Sequence, residues 1–215
     1  SDYLEQKLID LALNKVAFTG PATHVALFTA APSDAGAGTE VTGGAYARVL
    51  VNENANASTP KWKLGAASGG GFLVENLNAI AFAQATANWG EILAFGIFDA
   101  ATAGNLLYWG FLSTLSYTFT AVAATDVFTA PGHTLANGDR VILKGDALPA
   151  GVSADTVYFV VGVSGSTFQL SLTSGGAAIN LTADGAGVVH KLAPKTVTAN
   201  DTFSFPADSL DIVEK

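Results

Sequence analysis

The 215-residue chain is 49 % hydrophobic and only 13 % charged, about half the usual charged fraction, so its polar surface rests on Ser, Thr, Asn and backbone and suits a chain largely covered by neighbours. Its net charge of −8, with 10 Lys and Arg scattered along the sequence and no basic stripe, excludes nucleic acid, which needs clustered cations to release counterions, and disfavours anionic lipid. With no Cys there is no disulfide framework, thiolate nucleophile or Cys-ligated metal.

The first segment predicts a helix over residues 3–18. Leu4, Leu8, Leu11 and Lys15 share one face, which Ile9, Ala12, Leu13 and Val16 widen. Asp2 with Glu5 three residues on has the form of a capping box, and Gly20-Pro21 ends the segment. The apolar stripe is wide for so short a helix and must pack on something. Leu4, Leu8 and Leu11 are therefore candidate docking residues. No leader is read here, because acidic residues stand where one needs cations. The apolar run at 92–97 falls far short of the roughly 20 residues that span a bilayer, and no membrane insertion is expected.

After Pro21 the pattern changes to short β-type runs cut by Gly, Pro, Asn and Asp. Strands are expected near residues 24–29, 45–51, 79–83, 92–99 and 106–112. Residues 52–71 are polar and Gly-rich, with Pro60 inside, and read as a long exposed excursion with a hairpin around Trp62. Trp62 is a candidate exposed aromatic contact for a neighbouring subunit or a sugar, set against simple packing.

Residues 117 to about 190 carry turn signals of their own. Asn137-Gly138-Asp139, Leu148-Pro149-Ala150-Gly151 and Gly175-Gly176 separate apolar runs. Further strands are expected near 126–129, 140–144, 156–163, 167–172, 187–192, 202–205 and 210–213. The fold class is thus mainly β: an antiparallel β-sandwich or barrel base with one N-terminal amphipathic helix, plus an inserted small all-β module.

No catalytic constellation emerges. His24 opens an apolar strand, His133 lies in a turn and His190 ends a strand, and no spacing supplies a partner acid or a zinc pair. Gly162-Val163-Ser164-Gly165 continues with Ser166 where a nucleophile elbow needs glycine, and no helix follows. Gly36-Ala37-Gly38 precedes no helix and is no dinucleotide loop. Asp208, Asp211 and Glu214 read as a solvated strand edge rather than a glycosidase pair. Asp34, Glu40 and Asp99 would bind calcium only if a loop gathered them, and their spacing resembles no calcium loop. No cofactor, metal or catalytic residue is expected.

Several strings together resemble a family of small phage virion proteins labelled tail fibre proteins. They are Tyr3-Leu4-Glu5, Val25-Ala26-Leu27-Phe28-Thr29-Ala30-Ala31-Pro32, Asp34-Ala35-Gly36-Ala37-Gly38-Thr39-Glu40-Val41 and Gly43-Gly44-Ala45-Tyr46-Ala47-Arg48. Asn88-Trp89-Gly90, Phe95-Gly96-Ile97-Phe98-Asp99-Ala100-Ala101, Gly104-Asn105-Leu106-Leu107-Tyr108-Trp109-Gly110 and Asn200-Asp201-Thr202-Phe203-Ser204-Phe205 follow. The resemblance covers residues 1–112 and resumes at about 193. Residues 113–192 intervene and read as an inserted β module, whose strings from Phe128 to Asp139 and from Leu148 to Ser153 are similar to a module recurring in phage structural proteins.

The resemblance implies a virion location, made in the host bacterial cytoplasm, and supplies no catalytic residues. The expected function is a non-enzymatic surface appendage of the phage tail. Its base docks on other virion proteins and its module projects outward, in a homo-oligomer with a trimer favoured. The alternatives are a capsid decoration (head fibre or cement) protein and a receptor-binding protein for a host surface glycan.

Overall fold

The computed structural model describes residues 1–14, 16–17, 20–36, 38–52, 62–64 and 72–214. It divides into two compact units, Ser1–Phe111 with Pro194–Lys215, and Leu112–Ala193. Among the described residues, α1 (Asp2–Ile9) runs into a π-helical turn (Asp10–Asn14). The strands β1 (Thr23–Ala30), β2 (Thr39–Glu40), β3 (Val49–Asn52), β4 (Trp62–Leu64) and β5 (Phe72–Asn76) come next. They lead to β6 (Ile80–Ala81), β7 (Gly90–Ile92), β8 (Ala94–Phe98) and β9 (Leu106–Phe111). The second unit holds β10 (Ser113–Val122), β11 (Val127–Thr129), β12 (Arg140–Lys144), β13 (Tyr158–Ser164), β14 (Thr167–Ser171) and β15 (Gly185–Leu192). In the first unit β16 (Lys195–Val197), β17 (Ser204–Phe205) and β18 (Asp211–Glu214) close the chain's path. The chain is mainly β with a single N-terminal helix and antiparallel sheets, the class read from the sequence.

In the first unit the main sheet has the order β2-β1-β8-β9, with β3 also pairing β1. β1 and β8 run antiparallel from His24 opposite Phe98 to Phe28 opposite Ala94. Both strands are buried along consecutive residues, which requires cover on both faces. On one face Phe28 stacks on Phe98 beside Ala26, Ala94 and Leu106, with Trp109 and Phe111 against them. On the other, Phe95 meets Phe205, and Phe203, Phe82, Trp89 and Tyr46 continue the edge-to-face aromatic contacts. Gly96 leaves the room this packing needs, because a Cβ there would lie 3.0 Å from the Phe28 and Phe98 rings. Small sheets β16-β7, β17-β6 and β18-β5-β4 complete the unit.

The second unit is a closed barrel, β10-β11-β14-β13-β12-β15. Its interior is filled by Phe119, Phe128, Phe168, Val141, Leu143, Tyr158, Val160, Leu170 and Val189, as expected of a barrel too narrow to hold a lumen. The Ala193 amide donates to the Leu112 carbonyl at 2.8 Å, so chain entry and exit lie side by side.

Several local expectations are corrected. The helix stops at Ile9 and its π-turn at Asn14, short of residue 18. Its cap is Ser1, whose Oγ accepts from the Leu4 amide at 3.5 Å, while Asp2 is the first helical residue. The strand expected over 45–51 begins only at Val49, because Gly43, Gly44 and Ala45 all have positive φ and turn the chain. A Cβ at Gly44 would approach Trp89 Nε1 to 2.9 Å, and that indole nitrogen donates to the Gly44 carbonyl. β10 was not expected as a strand, although Tyr117, Phe119 and Ala121 alternate with exposed hydroxyl residues along it. Apart from Asn52 and Trp62 to Leu64, the excursion expected over 52–71 lies outside the described residues.

Candidate functional site

The N-terminal helix is held at its start. Ser1 Oγ lies 2.6 and 3.0 Å from the carbonyl oxygens of Leu106 and Leu107 on β9, and the Asp2 amide reaches the Asp34 carbonyl at 3.4 Å. Leu4 is buried within its own unit, so of the candidate docking residues it belongs to internal packing. Leu8 and Leu11 do not: together with Ile9, Leu13 and Val16 they are between 46 % and 77 % exposed. The helix therefore carries its apolar stripe beyond the sheet that covers Leu4. The π-turn is stitched by Asp10, whose carboxylate accepts from Gln6 Nε2 and Asn14 Nδ2 and whose carbonyl accepts from the Val16 amide. Several large apolar side chains left exposed close together in sequence are a common mark of an interaction surface.

Trp62 is half-buried rather than exposed, and its indole donates to Thr23 Oγ1 at 3.0 Å. That geometry favours the packing reading of this residue.

The loops around β9 are fixed by one cation. Arg48 makes a two-bond fork to Glu40 (Nε to Oε1 2.9 Å, Nη2 to Oε2 2.8 Å). Its Nη1 donates to the carbonyls of Ala100 and Ala103 at 2.9 and 2.7 Å. The guanidinium lies 3.6 Å from the centre of the Phe98 ring. Tyr46 donates its hydroxyl to Glu40 Oε1 and accepts from the Leu27 amide, both at 2.9 Å. Burial, with the Glu40 carboxylate adding to it, holds that phenol well above its ordinary range. Burial and then the Arg48 charge hold nearby His24 below the usual imidazole value.

Asp34, Glu40 and Asp99 sit in separate structural networks. Asp34 accepts from Trp109 Nε1, Glu40 from Arg48, and Asp99 from the Asn105 backbone and side-chain amides. The trio is thus not gathered, and among the described residues no group of three or more His, Asp or Glu could hold a metal ion. His133 accepts from the Leu135 amide through Nδ1, and its ring packs edge-on to Phe168 and Tyr117. His190 lies in β15, its pKa lowered by burial and then by Lys144. Asp208 pairs with Lys63 at 2.6 Å. Ser164 ends β13 at the turn into β14.

Sequence reasoning missed two organising residues, Arg48 and Asn76. Buried Asn76 donates to the carbonyls of Asn78 and Pro206 and accepts from the amides of Ser209 and Leu210. Arg48 closes one of the strings that carry the family resemblance, but nothing in that string assigns it a role, and Asn76 sits in no motif. The only signal was a lone Arg and a lone Asn at the edges of apolar runs.

The family model described as Podophage GP4 fiber I protein gp80 matches residues 1–136. The match runs from α1 past the unit boundary at Leu112 and through β11 of the barrel. Among curated proteins none matches the chain.

Proposed function

Because the chain belongs to the Podophage GP4 fiber I protein gp80 family and is thus a structural fibre component of a phage virion, we propose that it is a surface appendage of the tail-fibre type. It docks on other virion proteins through the exposed face of α1 and its π-turn. The observation that carries this reading is the exposure of Leu8, Ile9, Leu11 and Leu13 on α1 and its π-turn, and of Val16 just beyond, while the first turn of the helix is pinned to its own unit. Docking would remove those side chains from water, at roughly 25 cal/mol for each Å² of apolar area covered.

The first unit is the base and the barrel is the projecting module, inserted between β9 and β16. The adjacent entry and exit at Leu112 and Ala193 support this, since a closed barrel can be added there without prising the base apart. The protein works as a homo-oligomer and carries no catalytic step. Asp34, Glu40, Asp99 and Asp208, weighed above for catalysis or metal binding, are held in hydrogen bonds and ion pairs, and His133 in a turn.

Electron microscopy of particles carrying a tagged copy tests the attachment. Density at the tail supports the reading. Density over the capsid lattice would instead make the protein a head decoration.

A further inference from the structure

The outer surface of the barrel is divided between two kinds of strand. None of β10, β11, β14 and β13, which follow one another around it, holds an Asp, Glu, Lys or Arg. The strand charges are Arg140 and Lys144 on β12 and Lys191 on β15, which close the circle. The carboxylates of this unit stand in loops. Lys191 and Lys144 pair with Asp139 and Asp155, while Asp126 and Asp184 accept from the Leu181 and Ala123 amides.

Alternation fills the interior with Phe119, Phe128, Phe168 and Val160 and turns their strand neighbours outward. Thr120, Thr129 and Thr167 stand abreast across three strands. Beside them Val122 pairs with Val127 and Val161 with Gln169, and Val122 is 47 % exposed. We infer that copies of this chain associate barrel to barrel through this uncharged wall of hydroxyls and valines. The inference rests on the homo-oligomer reading above and supplies its interface.

A second copy is the partner whose chemistry fits the wall. Each threonine hydroxyl both donates and accepts, so two such walls satisfy one another, whereas a wall of carboxylates or of ammonium groups would need a partner of the other kind. Covering the wall strips water from no strand charge, and the large cost of burying an ion is avoided. The chain carries a net −8. Copies therefore repel through their charged faces, and an uncharged wall is where that repulsion is weakest. Four strands of the six wrap more than half of the barrel, which is wider than one neighbour covers. Each barrel is thus flanked by two copies in a closed ring, with β12 and β15 turned to solvent.

Light scattering on the full chain over a dilution series tests this. A mass of three or more chains is expected at the concentrated end. Thr120→Lys with Thr129→Lys puts unpaired charge into the contact and should weaken association by about a hundredfold or more, with circular dichroism and unfolding midpoint unchanged. Lysines at exposed Ser153 and Ala154, beside the Lys144–Asp155 pair, should leave the mass as it was. The chain has no cysteine, so a single introduced thiol gives a second reading that decides the matter if the lysine chain fails to fold. A thiol from Thr120→Cys should be alkylated at least about tenfold more slowly in the oligomer than after dilution, and one from Ser153→Cys at the same rate in both. A monomer at every concentration would overturn the inference and the homo-oligomer reading together. A dimer, or an oligomer to which the wall lysines and the Thr120→Cys thiol are both indifferent, would overturn the inference alone.

Discussion

Arg48 grips Glu40 through two hydrogen bonds of 2.9 and 2.8 Å while its guanidinium lies over the Phe98 ring, 3.6 Å from the centroid. One side chain thereby joins β2, β8 and the loop that enters β9. The geometry is one that only arginine can make, since lysine offers a point charge in place of a planar fork.

Arg48→Ala should destabilise the first unit by about 2–4 kcal/mol, because it strands the Glu40 carboxylate and frees two loop carbonyls. Arg48→Lys should recover less than half of that loss. Denaturant unfolding followed by tryptophan fluorescence measures both, as Trp89 and Trp109 lie in this unit.

Asn76 ties segments more than 130 residues apart, since its Oδ1 accepts from the Leu210 amide at a sequence separation of 134. Asn76→Ala should cost about 2–4 kcal/mol through four lost hydrogen bonds at a buried site. Asn76→Asp is nearly the same shape and should do at least as much damage. Its carboxylate would face the carbonyls of Asn78 and Pro206 where the amide now donates. Hydrogen exchange should show β18 losing protection first in both variants.

These two residues mark where sequence reading stops. The amphipathic stripe of α1 was legible because its contacts are local and periodic, and so were the barrel strands bounded by Asn137-Gly138 and Gly165. β10 was hidden because Ser and Thr fill its outward positions, leaving only Tyr117, Phe119 and Ala121 to carry the alternation. The helix cap fell one residue early because Ser1, anchored on Leu106 and Leu107, outcompetes Asp2, and β9 is more than a hundred residues away. The networks of Arg48, Asp34, Asp99 and Asn76 depend on which loops meet in space, and a single sequence holds no period that reports it.

The barrel should fold alone. Residues 112–193 enclose their own apolar core and close on the Leu112–Ala193 hydrogen bond. Expressed by itself, this segment should unfold cooperatively. Phe128→Ala should cost it about 3–5 kcal/mol, as for other buried aromatic truncations. Non-cooperative melting would show that the barrel needs the base.

Barrel stability should depend on pH through His190. Its folded pKa lies below the ordinary imidazole value, by burial and then by the Lys144 charge. The unfolded chain therefore binds the proton more readily, and stability falls as pH drops from above about 6.5 toward the folded value. Lys144→Met should shrink that loss, and His190→Gln should remove its histidine component. Thermal unfolding midpoints of the isolated barrel between pH 8 and pH 5 provide the check.

The central claim is attachment through the uncovered face of α1. The direct measurement is particle incorporation of a chain carrying Leu8→Asp and Leu11→Asp, in phage whose own copy is deleted. The account predicts a folded chain, with circular dichroism and unfolding midpoint unchanged, that is absent from purified virions. Incorporation at the unaltered level by that folded chain would contradict it, as would collapse of the fold, since these side chains would then be part of the core rather than its docking face.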